Sequence, residues 1–395
     1  MLGAPPISTT RVGSRIRIHT ALPLIISGLA QSSVYDQNHT IVFFIIAEIV
    51  VTTAYITHPR YVEHTLAGHP EHAGRIRAVW DELDSTSLTG RMKTITPVPA
   101  GDDLILKLHA AHYLDQLKWV TSAHQEIVLL NPDTYFGPTS LDIARLAVGG
   151  VTQAVDEVVS GRAMNALAVA RPPGHHAVSD NAMGFCIFGN VALAARSARE
   201  MHGLERIMIV DYDVHHGNGT QALLYNDPHT LFVSTHQYPF YPGTGSMRET
   251  GSQAGQGYTV NIPLSAGHGD ANYLAIFREI IWPLADRYKP QLLVVSAGFD
   301  AHWDDPLAHM NLSLTGYAFL TRELIHMAEK HCNSKIVFVL EGGYHLRALA
   351  HGVRNIAHAL LGDDDISDPL GPSPQQREPA TAALIAEIKH IHQLD

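Results

Sequence analysis

Four short segments of this chain hold the residue types that metal-assisted hydrolysis uses. Asp213 and His215, within Asp211-Tyr-Asp-Val-His-His-Gly-Asn218-Gly, are separated by one residue. In an extended segment both side chains therefore project the same way. Asp300, which ends Ser296-Ala-Gly-Phe-Asp, can complete a set of one imidazole and two carboxylates. Three protein ligands that leave a position open describe a catalytic divalent site, and zinc is the first expectation for it. The pair His175-His176 follows Arg171-Pro-Pro-Gly, a rigid entry that holds side chains in fixed directions. A histidine beside an activated water can take its proton as attack begins and return one to a leaving amine, with Asp211 and Asn218 available to orient the pair. Tyr344 follows Glu341-Gly-Gly, where the missing side chains let backbone approach a ligand, and its phenol can hydrogen-bond an oxyanion opposite the metal. Each motif alone has a plainer reading: caps and ion pairs for Asp-x-Asp-x-His, a satisfied core residue for a single histidine, a turn with a packed aromatic for Gly-Gly-Tyr. Their combination favours the metal site.

The elements that must position these residues are legible as short apolar runs rich in β-branched residues. Residues 53–57, 166–170, 206–210, 230–234, 292–296 and 336–340 read as strands buried on both faces. The spacers 141–159, 190–201, 273–288 and 314–331 carry helical periodicity. Alternation of this kind predicts a parallel sheet between helices. Five of the six strands run directly into the polar clusters above or into Thr235-His236. Ligands bind outside the carboxyl ends of strands in such sheets, so the clusters are expected to converge on one pocket.

Composition narrows the partners. The chain has 395 residues, with 27 Lys+Arg against 38 Asp+Glu for a net charge of −11, and no basic run long enough to track a phosphate backbone. Direct nucleic-acid binding is not expected. Two cysteines, Cys186 and Cys332, are too few for a disulfide framework or a thiolate cluster, which fits a reducing, cytoplasmic setting. The 26 histidines are unusually many, and most are read as scattered surface residues. Residues 1–50 differ from the rest: Arg11, Arg15 and Arg17 precede apolar runs at 21–30 and 41–51, neither reaching the roughly 18 residues of a bilayer span. The first run, ending in Ala30, resembles a secretory signal. The favoured reading is an extension upstream of the true start, since valine can mark an alternative start codon and the domain begins at Val51. The catalytic domain is expected over 51–362, followed by a linker rich in Asp, Pro, Ser and Gln and a short terminal helix within 363–395.

Taken in order, Arg171-Pro-Pro-Gly-His-His-Ala, the Asp211 to Gly219 segment, Ser296-Ala-Gly-Phe-Asp300 and Glu341-Gly-Gly-Tyr344 resemble the signature blocks of the histone deacetylase and acetylpolyamine amidohydrolase superfamily. The likeness runs from about Thr53 to Leu361 and points to the branch of the larger eukaryotic deacetylases and bacterial histone deacetylase-like amidohydrolases. It implies an arginase-like α/β fold on an eight-stranded, mostly parallel sheet, and one catalytic zinc held by Asp213, His215 and Asp300. It further implies His176 as general base and then acid, His175 paired with Asp211 as its electrostatic support, and Tyr344 on the oxyanion. Phe185, after Gly184, and Tyr241 resemble the aromatic walls of the acyl-lysine tunnel, and Asp133 resembles a rim aspartate that grips substrate backbone. A monovalent cation, potassium, is implied at the Asp211 and Ser234 side chains and the carbonyls of Asp213, His215 and Thr235.

Three departures from the family pattern bear on chemistry. Tyr241 stands where many members carry Phe. Asn218 stands where some branches place an aspartate, which should leave His176 less basic. Leu307, seven residues beyond Asp300, replaces an acid found in polyamine-selective members and favours an acyl-lysine or another singly charged amine; packing is its plainer explanation. The activity implied is zinc-dependent hydrolysis of N-acyl amides, foremost acetyl-lysine in proteins or peptides. Deacetylation of polyamines or another small amide is the nearest alternative, and a non-catalytic acyl-lysine binding module a more distant one. An arginase-like two-manganese site is disfavoured, because the ligand set supplies one metal. The Pro/Gly-rich loop 238–257 and the acidic surface suit a rim for basic peptides. No membrane contact is expected, and the oligomeric state is not indicated.

Overall fold

The computed structural model describes residues 52–375 and 377–394, together with the backbone of 29–35 and 41–47. The chain forms two compact units, residues 1–50 and 51–395. In the first, Leu29–Tyr35 and Ile41–Ala47 pair as antiparallel strands.

The second unit is built on eight strands: β1 (Thr53–Ile56), β2 (Lys93–Ile95), β3 (Asn165–Ala168), β4 (Ile207–Asp211), β5 (Thr230–Gln237), β6 (Thr259–Leu264), β7 (Leu292–Ala297) and β8 (Ile336–Leu340). Their order across the sheet is β6-β5-β4-β7-β8-β3-β1-β2, and every pairing is parallel. The six strands read from the sequence are present to within a residue or two, except that β5 extends three residues further. β2 and β6 escape that reading for physical reasons. β2 is a three-residue edge strand with two exposed residues, so it lacks the apolar run. β6, Thr-Val-Asn-Ile-Pro-Leu, is interrupted by Asn261 and Pro263, and a proline is tolerated because the strand lies at the sheet edge.

The crossovers fix the layers. Parallel crossovers are right-handed, so helices that carry the chain toward β6 lie on one face and those that carry it back lie on the other. α2 (Ser140–Val159) and α3 (Asn190–His202) belong to the first set and pack on one another; α1 (Gly74–Ser85) and α4 (Leu314–Cys332) belong to the second, and α5 (Leu346–Leu360), which follows the last strand, packs on both of these. The expected helix over 273–288 is broken into Asp270–Ile276, a π-helical turn Phe277–Ile281 and Trp282–Tyr288, with Pro283 early in the last piece. α6 (Ala382–His392) closes the chain. Among the described residues no helix is long and apolar enough to cross a membrane.

The chain leaves β4 toward β5 and leaves the adjacent β7 toward β8, and a crevice opens at such a reversal. Ala168, Val339, Ser296, Asp211 and Ser234 lie on one rung of the sheet, so the loops that follow them begin at a common height.

Candidate active site

Asp213 and His215 leave β4, and Asp300 follows β7. One ligand atom from each lies within 4.8 Å of the others, and all three residues are buried. His215 Nδ1 is 3.2 Å from Asp213 Oδ1 and 3.2 Å from Asp300 Oδ2. Backbone amides aim the carboxylates: His215 N–H donates to Asp213 Oδ1 (2.9 Å), Gly342 N–H to Asp213 Oδ2 (2.7 Å) and Val214 N–H to Asp300 Oδ1 (2.9 Å). Asp300 Oδ2 is buried and accepts no hydrogen bond, although the His215 ring stands beside it. Two buried carboxylates side by side call for positive charge. Burial disfavours an imidazolium at His215, yet the two aspartates outweigh it and lift the ring to about 10. Asp300 is raised, by burial and then by Asp213. The pocket is walled by absent side chains: a Cβ on Gly298 would stand 2.1 Å from Asp213 Oδ2, and one on Gly342 would stand 2.1 Å from Asp300 Oδ2. An orphaned carboxylate oxygen, a neighbouring imidazole nitrogen and this cradle fit a divalent cation.

His175 and His176 follow β3, with ring centroids 4.0 Å apart. His175 Nδ1 meets Asp211 Oδ2 at 3.1 Å, and its Nε2 is 3.8 Å from Asp213 Oδ1. Burial opposes its charge, but Asp213 and Asp211 prevail and raise it to about 10. His176 goes the other way: burial, then the charges on His175 and His215, hold it well below the ordinary histidine value. Its Nδ1 meets Asn218 Oδ1 at 2.7 Å. The Asn218 amide nitrogen faces the His176 carbonyl and Met183 Sδ, both at 3.4 Å, so the amide oxygen is the atom turned to the ring. That network assigns the His176 proton to Nδ1 and leaves Nε2 bare. A Cβ on Gly184, whose φ is +53°, would stand 2.2 Å from His176 Cδ2; glycine is needed there for both reasons.

Tyr344 lies beyond β8 on the loop Glu341-Gly-Gly-Tyr. Its N–H donates to Asp305 Oδ2 (2.7 Å), which also accepts from His345 N–H (3.1 Å). Arg75, fully buried in α1, donates from Nε to Gly343 O (2.7 Å) and from Nη2 to Glu341 O (2.6 Å), and its guanidinium carbon sits 5.0 Å from the Tyr344 ring centroid. Glu71 binds Arg171 through both oxygens (2.5 and 2.6 Å) and Arg75 at 3.1 Å, all three side chains being fully buried. Tyr344, His176, His215, Phe185, Gly184, Tyr241, Leu307 and Asp133 line one cavity of about 130 Å³. Phe185 is edge-on to Tyr344 at 5.9 Å, and Tyr241 is edge-on to His176 at 5.2 Å. Leu307 and Tyr344 also border a neighbouring cavity of about 400 Å³ under the loop 65–70. Beneath the histidines, Asp211 pairs in register with Ser234, whose Oγ meets His236 Nδ1 at 3.0 Å, and Thr235 Oγ1 reaches Asp211 O at 3.5 Å.

Sequence reasoning did not single out Glu71, Arg75, Arg171 or Asp305 as site residues. Glu71 and Arg75 are four apart, a spacing normally read as a solvated ion pair. Asp305 stands in Asp300-Ala-His-Trp-Asp-Asp-Pro306, where His302 and Asp304 are equally polar, so nothing local distinguishes it. Cys186, His175 and Glu341 form a second cluster with metal-ligand spacing. Its donors are already engaged: Glu341 Oε2 accepts from Gly174 N–H (2.8 Å) and His175 N–H (3.2 Å), and the Cys186 thiol donates to Gly184 O (3.3 Å).

The chain matches the histone deacetylase domain over residues 69–360. It is 37% identical over 358 residues to histone deacetylase 10, chloroplastic, of Oryza sativa subsp. japonica, covering 86% of this chain and 81% of that protein. It is 41% identical over 279 residues to the histone deacetylase-like amidohydrolase of Pseudomonas aeruginosa, covering 70% and 73%. The crystal structure of the HDA15 HD domain superposes with a TM-score of 0.79 at 32% identity, covering 87% of this chain and 94% of that one.

Proposed function

This chain belongs to the histone deacetylase family, whose members are deacetylases and amidohydrolases, and on that premise we propose that it hydrolyses N-acyl amides with zinc held by Asp213, His215 and Asp300. Acetyl-lysine in proteins or peptides is the substrate we favour. The observation that carries this reading is the convergence of Asp213, His215 and Asp300 on one another, with His215 of that set lining the same cavity as His176, Tyr344 and the Phe185 and Tyr241 rings. Zinc there would supply Lewis acidity to the acyl carbonyl and to a water. His176, bare at Nε2 and held neutral, takes the proton of the attacking water and returns one to the departing amine. Asn218 keeps the tautomer, and His175 with Asp211 supplies compensating charge beside it. The Tyr344 hydroxyl donates to the carbonyl oxygen as it gains charge. Phe185 and Tyr241 flank an apolar stem, and with Leu307 in the lining, Asp133 is the one carboxylate there among the described residues.

We also assign a potassium ion to Asp211, Ser234 and the carbonyls of Asp213, His215 and Thr235. Two free, buried cysteines support a cytoplasmic setting. Residues 51–362 are taken as the catalytic domain, 363–395 as a linker with its short helix, and 1–50 as an extension. The test is zinc-reconstituted protein assayed on an acetyl-lysine peptide beside acetylated putrescine and spermidine. Hydrolysis of the peptide supports the favoured substrate, and preference for the small amines would replace it. Equimolar zinc with no hydrolysis of any acyl substrate would leave a binding module.

A further inference from the structure

Asp133 is the one carboxylate among the described residues that line the cavity, and both of its oxygens are occupied. Oδ1 accepts from Gly184 N–H (3.1 Å) and from the Thr134 hydroxyl (2.6 Å), while Thr134 Oγ1 in turn accepts from Phe185 N–H (3.1 Å). Those bonds tie the loop carrying Asp133 to the turn that presents Phe185. Oδ2 accepts from the Tyr241 hydroxyl at 2.8 Å, a bond between residues 108 positions apart in the chain. Tyr241 also makes contacts apart from that bond. Its ring stands edge-on to His176 at 5.2 Å and to His215 at 6.0 Å, and 36% of the residue remains exposed.

A substrate N–H arriving at the mouth would find a carboxylate already holding a phenol. Exchanging one charge-assisted hydrogen bond for another yields little net affinity. We propose that Tyr241 is a specificity-determining residue: its hydroxyl latches Asp133, so the enzyme selects acylated primary amines by acyl group and stem, without requiring a peptide N–H beside them. The inference rests on the hydrolytic reading above. It sets the substrate class as acyl-amines in any backbone context, lysine in a chain or a small amine alike. Phenylalanine at 241 keeps the ring packing and returns Asp133 Oδ2 to the substrate.

The experiment compares a peptide bearing acetyl-lysine with the same peptide N-methylated at the amides on either side of that residue, on zinc-loaded wild type and Tyr241→Phe. In the wild type the ratio of kcat/KM, unmethylated over methylated, is expected within about twofold of one. In Tyr241→Phe it is expected to rise to about ten, the ordinary worth of a hydrogen bond to a charged group. A ratio near ten already in the wild type overturns the proposal, as does a Tyr241→Phe ratio that stays near one. The same two ratios, read as Kd by calorimetry on Tyr344→Phe and on Tyr241→Phe/Tyr344→Phe, judge the latch without turnover. Absence of hydrolysis in the wild type would therefore sink the hydrolytic reading alone, while unmoved affinity ratios sink the latch alone.

Discussion

Glu71→Gln alters one atom type in a side chain that stays the same size, yet among the described residues it removes the one carboxylate bound to both Arg75 and Arg171. Three buried side chains carry a net charge of about plus one, two guanidiniums against one carboxylate, with the excess met by the carbonyls of Tyr61, Glu341 and Gly343. Burial works against the Glu71 carboxylate, but the two arginines dominate and hold it down at about 2, so it is charged at neutral pH. Removing one partner of a buried pair costs about 3–5 kcal/mol, and here one carboxylate serves two cations, which places Glu71→Gln at or above the upper end. Arg75→Met is the informative contrast. It leaves Glu71 and Arg171 as a neutral, bidentate pair and strips two carbonyls of bonds worth about 1.5–3 kcal/mol each, partly offset because a buried cation has been replaced by an apolar chain. A net loss of about 2–3 kcal/mol follows, roughly 2 kcal/mol less than for Glu71→Gln. Urea unfolding of the zinc-loaded proteins at fixed pH, with unchanged slopes, measures the difference. Arg75→Met proving as costly as Glu71→Gln, or more so, would refute the charge-balance argument and leave the carbonyl bonds as the governing term. Activity supplies a second readout: losing the guanidinium behind Gly343 and the Tyr344 ring should lower kcat by about tenfold while KM stays nearly constant.

Tyr344→Phe should lower kcat by about two powers of ten or more with zinc content unchanged, as loss of one oxyanion donor does, and unaltered turnover on an acetyl-lysine peptide would remove Tyr344 from the chemistry. Asp300→Asn keeps an acceptor for Val214 N–H but deletes one of two crowded carboxylates; it should raise the Tm of metal-free protein and lower that of zinc-loaded protein, whereas a fall in both would make Asp300 a packing residue. His109 is lowered by burial to about 4, and its Nε2 accepts from Gly189 N–H at 3.0 Å. The unfolded chain, titrating near the unperturbed value of about 6.5, binds that proton first, so the stability His109 contributes is complete above that pH and is lost as pH falls toward 4. His109→Gln should flatten the decline across that window by about 1.4 kcal/mol per pH unit, read from urea midpoints at pH 7.5 and 5.

The chain disclosed its central strands because residues such as Val294, Val295 and Phe338 are buried on both faces and write an unbroken apolar run. It disclosed Asp213 and His215 because a pleated segment sends alternate side chains one way. What stayed hidden depends on neighbours distant in sequence. Glu71 and Arg75 have the spacing of a solvent-facing helical pair, and only Arg171, a hundred residues on, makes them a buried network. Tyr241 reads as a tunnel wall and Asp133 as a rim residue, yet nothing local indicates that one donates to the other. Asn261 and Pro263 concealed β6 because an edge position, which permits both, is a property of the finished sheet.

The rung that levels the ends of β4 and β7 has a consequence for how the protein matures. Asp213 and His215 precede Asp300 by the whole of β5, β6 and β7, so a growing chain carries two of the three proposed ligands long before the third can join them. β7 must then slot between β4 and β8, and a slip of one residue would carry Asp300 about 3.3 Å out of reach and turn alternate side chains to the wrong face. For the proposed zinc site, tight uptake would thus wait on correct insertion of the middle strand, and metal content would report the register of the finished sheet.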